Sequence, residues 1–274
     1  AALMHTPAFR FHSPLAKALS LCSVLSVLTF SAAPVLAADT AAAMVYSIAS
    51  AKAVESLLLD VAHAGARLVA VGDRGHILYS DDQGVSWVQA KVPTRQMLTS
   101  VFFVDDKKGW ATGHDALILA TEDGGMTWTQ QFVDLEREAP LLDIWFKNAE
   151  QGFAVGAYGA LLETTDGGAN WEDVSDRLDN EDQHHLNAIT EVKDSGLFAV
   201  GEMGGMYRSS DWGQTWETIE GPYEGSLFGA LGTGEVGGIL VYGLRGHMFR
   251  SGDFGKSWQQ INLKGATGRL DFGL

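Results

Sequence analysis

SDDQGVSW, at Ser80–Trp87, returns four times along the chain: TEDGGMTW at Thr121–Trp128, TTDGGANW at Thr164–Trp171, SSDWGQTW at Ser209–Trp216 and SGDFGKSW at Ser251–Trp258. The common form is S/T-x-D-x-G-x-S/T/N-W, and the closing tryptophans stand 41, 43, 45 and 42 residues apart. A period of about 40–45 residues is the length of one four-stranded propeller blade. The spacing predicts an all-β fold, a β-propeller of four-stranded blades, with five complete repeats in this chain.

The phrase reads as a turn. Asp82, Asp123, Asp166, Asp211 and Asp253 are acceptors for the backbone N–H groups of their own loop. Gly84, Gly125, Gly168, Gly213 and Gly255 follow two residues later, where positive φ is expected. Trp87, Trp128, Trp171, Trp216 and Trp258 open the next strand and bring a large apolar surface with one N–H to place. Five regularly spaced carboxylates that satisfy their own backbone are structural, not a converging catalytic set.

Around each phrase the sequence divides into four strands. The first reads L-x-x-V/I-x-F, as in Leu98, Val101, Phe103 and in Leu141, Ile144, Phe146. The second is apolar and ends in glycine: 68–72, 109–113, 152–156, 197–201 and 239–243. After a two-residue turn the third is expected to alternate, through Ile77 and Tyr79, Ile118, Leu161, Met206 and Met248. No stretch has helical periodicity. The last residues, 265–274, restart a blade with Leu270 and Phe272 in first-strand register. A sixth, partial repeat is therefore expected, and an intact ring of six or seven blades, because an open ring exposes edges.

Ahead of the repeats, Arg10 and Lys17 precede an apolar run over 19–30, and Val35-Leu36-Ala37 has a small-residue cleavage pattern. This predicts a signal peptide over 1–37 and an exported, soluble mature protein, without insertion into a membrane. Residues 38–55 are expected to be a linker, or to use Met44–Ile48 as a strand closing the ring; the propeller occupies 56–274. The single cysteine, Cys22, falls in the leader, so no disulfide supports the mature fold. The chain has 19 Lys and Arg against 34 Asp and Glu, a net charge of −15, and loss of Arg10 and Lys17 makes it two charges more negative. Nucleic acid and anionic membrane surfaces are poor partners for that field; solubility is its modest reading and a basic partner surface the sharper one.

The repeat unit resembles the BNR/Asp-box repeats of the photosystem II stability and assembly factor family. GFAVGAYGALLETTDGGANW at Gly152–Trp171 and GWATGHDALILATEDGGMTW at Gly109–Trp128 carry the resemblance, which extends over about residues 56–274. It implies an exported propeller that binds other proteins rather than turning over substrate, without a cofactor. In photosynthetic organisms such proteins act in the thylakoid lumen or periplasm, helping newly made reaction-centre protein assemble. The partner implied is thus a membrane protein or membrane complex met at its periplasmic or lumenal face. The photosynthetic members carry an arginine-rich patch; only nine arginines follow residue 37 here, so that patch is not carried over whole.

Turns between second and third strands fall on the face opposite the Asp phrases. They do not repeat: Asp73-Arg74, His114-Asp115, Ala157-Tyr158, Glu202-Met203, Leu244-Arg245. Variable turns on a fixed scaffold are where binding specificity resides. The candidate binding residues are Arg74, Arg245, His114, Asp115, Tyr158 and Glu202. Arg74 and Arg245 share a blade position, and each is followed by Gly-His (His76, His247). Two connections read as longer than a blade needs, 131–140 and 173–185. The second carries Asp179, Glu181, Asp182, His184 and His185 without a fixed metal-ligand spacing, and is expected to be a solvated acidic loop.

Asp-box repeats also occur in sialidases and other glycosidases. The alternative to a scaffold is therefore a glycoside hydrolase with Tyr158 and Glu202 on the working face. The N-terminal arginine signature of sialidases is missing. Gly252–Ser257 departs from phosphate-loop spacing, and no zinc-protease, nucleophile-elbow or dinucleotide motif occurs.

Overall fold

A computed structural model describes residues 44–262. The predicted leader and the partial sixth repeat lie outside the described residues. Five four-stranded antiparallel sheets, each a simple meander, make five blades, over 58–89, 98–132, 141–173, 186–218 and 227–260. The first strands are Leu58–Ala64, Leu98–Phe103, Leu141–Phe146, Leu186–Val192 and Leu227–Gly232, and each of the first four packs beside the first strand of the next blade. The fourth strands are short and mostly exposed, as at Glu172–Asp173 and Glu217–Thr218. The fold is a β-propeller, and no α-helix occurs among the described residues.

Second strands fall where the glycine endings place them, as at Gly109–Gly113 and Gly152–Gly156, and these two are buried at every residue. The third strand of blade 5, Met248–Ser251, alternates as expected, whereas Leu117–Thr121 and Leu161–Thr164 of blades 2 and 3 are buried throughout. The period of two is present, but both faces of a blade are covered, so alternation sorts side chains between two seams. Trp110, Ile118 and Ala120 join Ile144, Phe146 and Leu162 in the seam between blades 2 and 3. Ala111, Leu117 and Leu119 turn the other way, toward Val69, Val71 and Ile77 of blade 1. The Trp110 and Phe146 rings stack with centroids 3.4 Å apart and planes 5° from parallel.

The Asp phrase closes its turn from within. Asp123 accepts from the Met126 and Thr127 N–H groups and from the hydroxyls of Thr121 and Thr127, at 2.6–3.0 Å. The same pattern holds at Asp82, Asp166, Asp211 and Asp253. Hydrogen bonds from the Ser86 hydroxyl and N–H hold the Asp82 carboxyl down at about 2, and the Ser257 hydroxyl does the same for Asp253. The glycines at the fifth position have φ of 81–93°. The residue before each is also left-handed: Gly124 and Gly167 in blades 2 and 3, but Gln83, Trp212 and Phe254 elsewhere. Trp212 stacks on Trp145 of blade 3 at 6.1 Å, and Phe254 meets Phe198 of blade 4 at 6.3 Å. Packing against the preceding blade offsets a backbone state that costs about 1–2 kcal/mol outside glycine. Of the phrase tryptophans only Trp128 is buried; the other four are half-buried. Trp87 and Trp128 donate to Gly84 and Gly125 carbonyls, whereas the buried indole N–H groups of Trp171, Trp216 and Trp258 meet no acceptor among the described residues.

Blades are joined near the axis by side chains of the first strands. The Val101 N–H donates to Asp60 Oδ2 (2.8 Å), and the Ile189 N–H donates to Asp143 Oδ2 (2.8 Å). Thr99 donates to the Leu141 carbonyl (2.6 Å), and Asn187 to the Leu227 carbonyl (2.7 Å). Ser100 Oγ lies 3.0 Å from Asp60 Oδ2 and 2.7 Å from Asp143 Oδ1. A hydroxyl has one hydrogen, so both contacts are full hydrogen bonds only when one carboxyl is protonated and donates to Ser100. Burial pushes the Asp143 carboxyl up to about 7 and raises Asp60 as well, against the N–H donors that favour their ionised forms.

Residues 44–50 belong to no strand. The Met44–Ile48 segment proposed to close the ring instead lies along blade 1, where the Ser47 N–H donates to the Val92 carbonyl (2.9 Å) and Gln89 donates to the Ile48 carbonyl (3.0 Å).

Candidate functional site

In every blade the first residue after the second strand donates its N–H to the carbonyl just ahead of the first strand. The pairs are Asp73 to Leu57, His114 to Met97, Ala157 to Pro140, Glu202 to His185 and Leu244 to Ser226, at 2.8–3.0 Å. The second-to-third turns therefore share one face with the blade-to-blade connections. A Cβ on the glycine ending the second strand would fall 2.1–2.4 Å from that same carbonyl region, as at Gly72 and Gly243, which explains the glycine.

These turns contain three residues rather than two in blades 1, 3, 4 and 5: Asp73–Gly75, Ala157–Gly159, Glu202–Gly204 and Leu244–Gly246, each a single 3-10 turn. The middle residue is left-handed every time: Arg74 (φ 56°), Tyr158 (57°), Met203 (52°) and Arg245 (63°). In blade 2, Asp115 (59°) and Ala116 (49°) are left-handed. This conformation lifts the middle side chain away from the sheet. Tyr158 and Met203 are 62% and 66% exposed, and the Arg74 side chain 79%. A tyrosine and a methionine are thus held exposed in a sparsely populated backbone state.

The candidate residues do not converge on one point. Tyr158, His185 and Glu202 form one group across the seam of blades 3 and 4. His185 meets Tyr158 edge-on at 5.2 Å, its Nδ1 lies 3.7 Å from Glu202 Oε1, and its N–H donates to Glu202 Oε2 (3.1 Å). Arg74 pairs loosely with its neighbour Asp73 (3.3 Å), and Arg245 stands on blade 5. Asp115 bonds Gln96 and holds the Asp134 N–H through its carbonyl; His114 is exposed beside it. The two histidines of the Gly-His pairs differ. His76 is buried against Ser56 (3.1 Å), while His247 stacks on Tyr223 at 4.4 Å.

Of the four blade-to-blade connections among the described residues, only one is extended. Those over 90–97, 133–140 and 219–226 have eight residues each, and that over 174–185 has twelve. The 131–140 stretch looked long only because the fourth strand of blade 2, Thr129–Phe132, runs further than the others. The twelve-residue connection is ordered by its own bonds: Asn180 accepts from the His184 N–H (3.0 Å) and donates to the His184 carbonyl (2.9 Å). Arg177 is drawn inward to Glu163 (2.8 Å) and to the Gly213 carbonyl (2.9 Å). Between this loop, Tyr158 and Trp216 is a cavity of about 590 Å³. No group of three or more metal-binding side chains occurs among the described residues, the Asp179–His185 run included.

An Asp-box propeller with irregular turns displayed on one face defines the class: a repeat scaffold whose folding machinery and variable surface are on opposite sides. Its repeats carry a narrower identity. The sequence model of the photosynthesis system II assembly factor YCF48 family matches residues 80–139 and 130–270, and the chain belongs to that family. The chloroplast photosystem II stability/assembly factor of Cyanidioschyzon merolae is 40% identical over 62 residues, 22% of this chain and 14% of that protein. The photosystem II assembly lipoprotein of Prochlorococcus marinus is 40% identical over 52 residues, 19% of this chain and 15% of that protein. The aligned stretches thus span about one seventh of either relative. Among solved structures, virginiamycin B lyase from Staphylococcus aureus has a TM-score of 0.64 at 11% identity, over 76% of this chain and 71% of that one. An ancestral GH74 enzyme has a TM-score of 0.63 at 15% identity, over 77% and 32%. At these identities the two enzymes show the propeller fold alone.

Proposed function

We propose that the protein is an assembly scaffold that acts outside the cytoplasm and binds a membrane protein or complex, a photosystem II component in a photosynthetic host, through the face of the second-to-third turns. The family match over most of the propeller carries the reading. The left-handed, exposed Arg74, Tyr158, Met203 and Arg245 support the choice of face. Export is supported by the leader pattern of 1–37 and by the lipoprotein and chloroplastic descriptions of the two relatives. Binding is the reaction-free task that suits irregular turns on a rigid frame, and preorganised turns lose little freedom on contact.

The test is capture from detergent-solubilised membranes with polypeptides identified by mass spectrometry, using the wild type and Arg74→Glu/Arg245→Glu. A membrane polypeptide held by the wild type and lost with the variant is the expected result. Equal retention by both refutes the face. Retention by neither, with cleavage of a glycan in a substrate panel, refutes the scaffold and favours the hydrolase.

A further inference from the structure

The cavity between blades 3 and 4 is built by the four extra residues of the 174–185 connection, and its chemistry is one-sided. Two aromatic residues, Tyr158 and Trp216, and three acidic ones, Asp176, Asp179 and Glu181, line it. All three carboxylates are exposed and none has an ion-pair partner among the described residues. Arg177 lines it as well, but its charge is already committed to Glu163 and the Gly213 carbonyl. The uncompensated field reaches inward. After burial, the charge of Asp179 is what raises the Tyr207 hydroxyl of blade 4.

We propose that this cavity receives a lysine or arginine side chain on an extended segment of a partner protein. Two aromatic residues and three free carboxylates are the chemistry that holds a cation: ring faces attract it, and the acids neutralise it. A volume of about 590 Å³ admits the side chain together with its flanking backbone. The walls are fixed before binding, because Asn180 clamps His184 and Arg177 ties the loop to blade 4. Tyr158 joins the cavity to the displayed turns, so one extended segment can lie on the face and drop a basic side chain into the seam. The strongly acidic chain favours approach of such a segment over long range.

This inference rests on the protein-binding reading, and the experiment separates the two. The probe is a fluorescein-labelled pentapeptide, Gly-Ala-Arg-Ala-Gly, followed by fluorescence anisotropy, with a citrulline peptide of the same shape and no charge as comparator. The intact wild type is set against Asp179→Asn/Glu181→Gln, with Arg74→Glu/Arg245→Glu as a second variant. The wild type should bind the arginine peptide about tenfold more tightly than the citrulline peptide, and added salt should erase the difference. The Asn/Gln variant should lose that preference, and the Arg→Glu variant should keep it. Equal binding of the two peptides, an unchanged preference in the Asn/Gln variant, or no binding of the arginine peptide at about 1 mM overturns the inference. Peptide preference without capture of any membrane polypeptide upholds the cavity and refutes the assembly reading. Capture that is unchanged in the Asn/Gln variant, with no peptide preference, does the reverse.

Discussion

Replacing Asp143 by asparagine should make the propeller more stable in mildly alkaline solution and less stable in acid. In the folded protein the Asp143 carboxyl titrates at about 7, against an ordinary value of 3.8. A group raised in the folded state contributes stability that is complete below its unfolded value and disappears as the pH climbs through the folded one. The window is therefore pH 3.8 to 7, and a shift of about 3 units corresponds to about 4 kcal/mol. Asparagine resembles the protonated acid, since its N–H₂ can donate to Ser100. It has one acceptor oxygen, however, and the carboxyl serves both the Ile189 N–H and the Ile144 N–H, each at 2.8 Å. One backbone donor is left without its partner, at about 1–3 kcal/mol, at all pH values. The lines cross: the variant is weaker by that amount near pH 4 and stronger by about 1–3 kcal/mol at pH 8. Urea unfolding followed by tryptophan fluorescence at pH 4, 6 and 8 measures both. A variant weaker than the wild type by the same margin at all three would show that Asp143 holds no proton, leaving Asp60 as the one carboxyl able to donate to Ser100.

Four further outcomes are expected. Asp123→Ala frees the Met126 and Thr127 N–H groups and should lower stability by about 1–2 kcal/mol in the same assay, with the blade retained by circular dichroism. Trp110→Ala removes a fully buried ring stacked on Phe146 and should cost about 3–5 kcal/mol, read as a lower urea midpoint. Gly213→Ala puts a Cβ 2.2 Å from the Phe153 ring at φ 93° and should cost more than about 1 kcal/mol, whereas an alanine at the open, positive-φ Gly234 should cost less. Arg177→Gln leaves Glu163, whose side chain is 6% exposed, with only the long hydrogen bond from Gln214 (3.4 Å) and should cost about 3 kcal/mol; adding Glu163→Gln should restore part of it in a double-mutant cycle.

The blades were legible because their turns are closed by local rules. Asp82 and Ser86, or Asp123 and Thr127, are four residues apart, so the bonds that fix the turn are written within one phrase. Second-strand glycines were legible for a similar reason, each answering to the carbonyl ahead of its own first strand. Alternation is visible in the third strand of blade 5 and lost in those of blades 2 and 3, where both faces are covered. The joints were invisible. Asp60, Ser100 and Asp143 occupy one position of the first strand, which blades 4 and 5 fill with Ala188 and Gly229, so no periodicity marks it. Their partners are 40 to 46 residues away. The left-handed state of Tyr158 and Met203 was hidden too, since neither residue type announces it. Length pointed to the connection that walls the cavity, but not to the inward turn of Arg177 that leaves the cavity acidic.

The two kinds of bond have opposite consequences for order along the chain. The bonds made by an Asp phrase's own carboxylate stay within the phrase, so they travel with the blade that carries it. The joints are not interchangeable. Asp60 needs the strand that begins at Leu98 beside it, and Asp143 needs the one that begins at Leu186. Exchanging two blades would leave those carboxylate bonds intact and put the joint carboxylates opposite groups that do not answer them. The repeats supply a common alphabet, and a few unrepeated side chains near the axis spell the one sequence of blades in which it reads correctly.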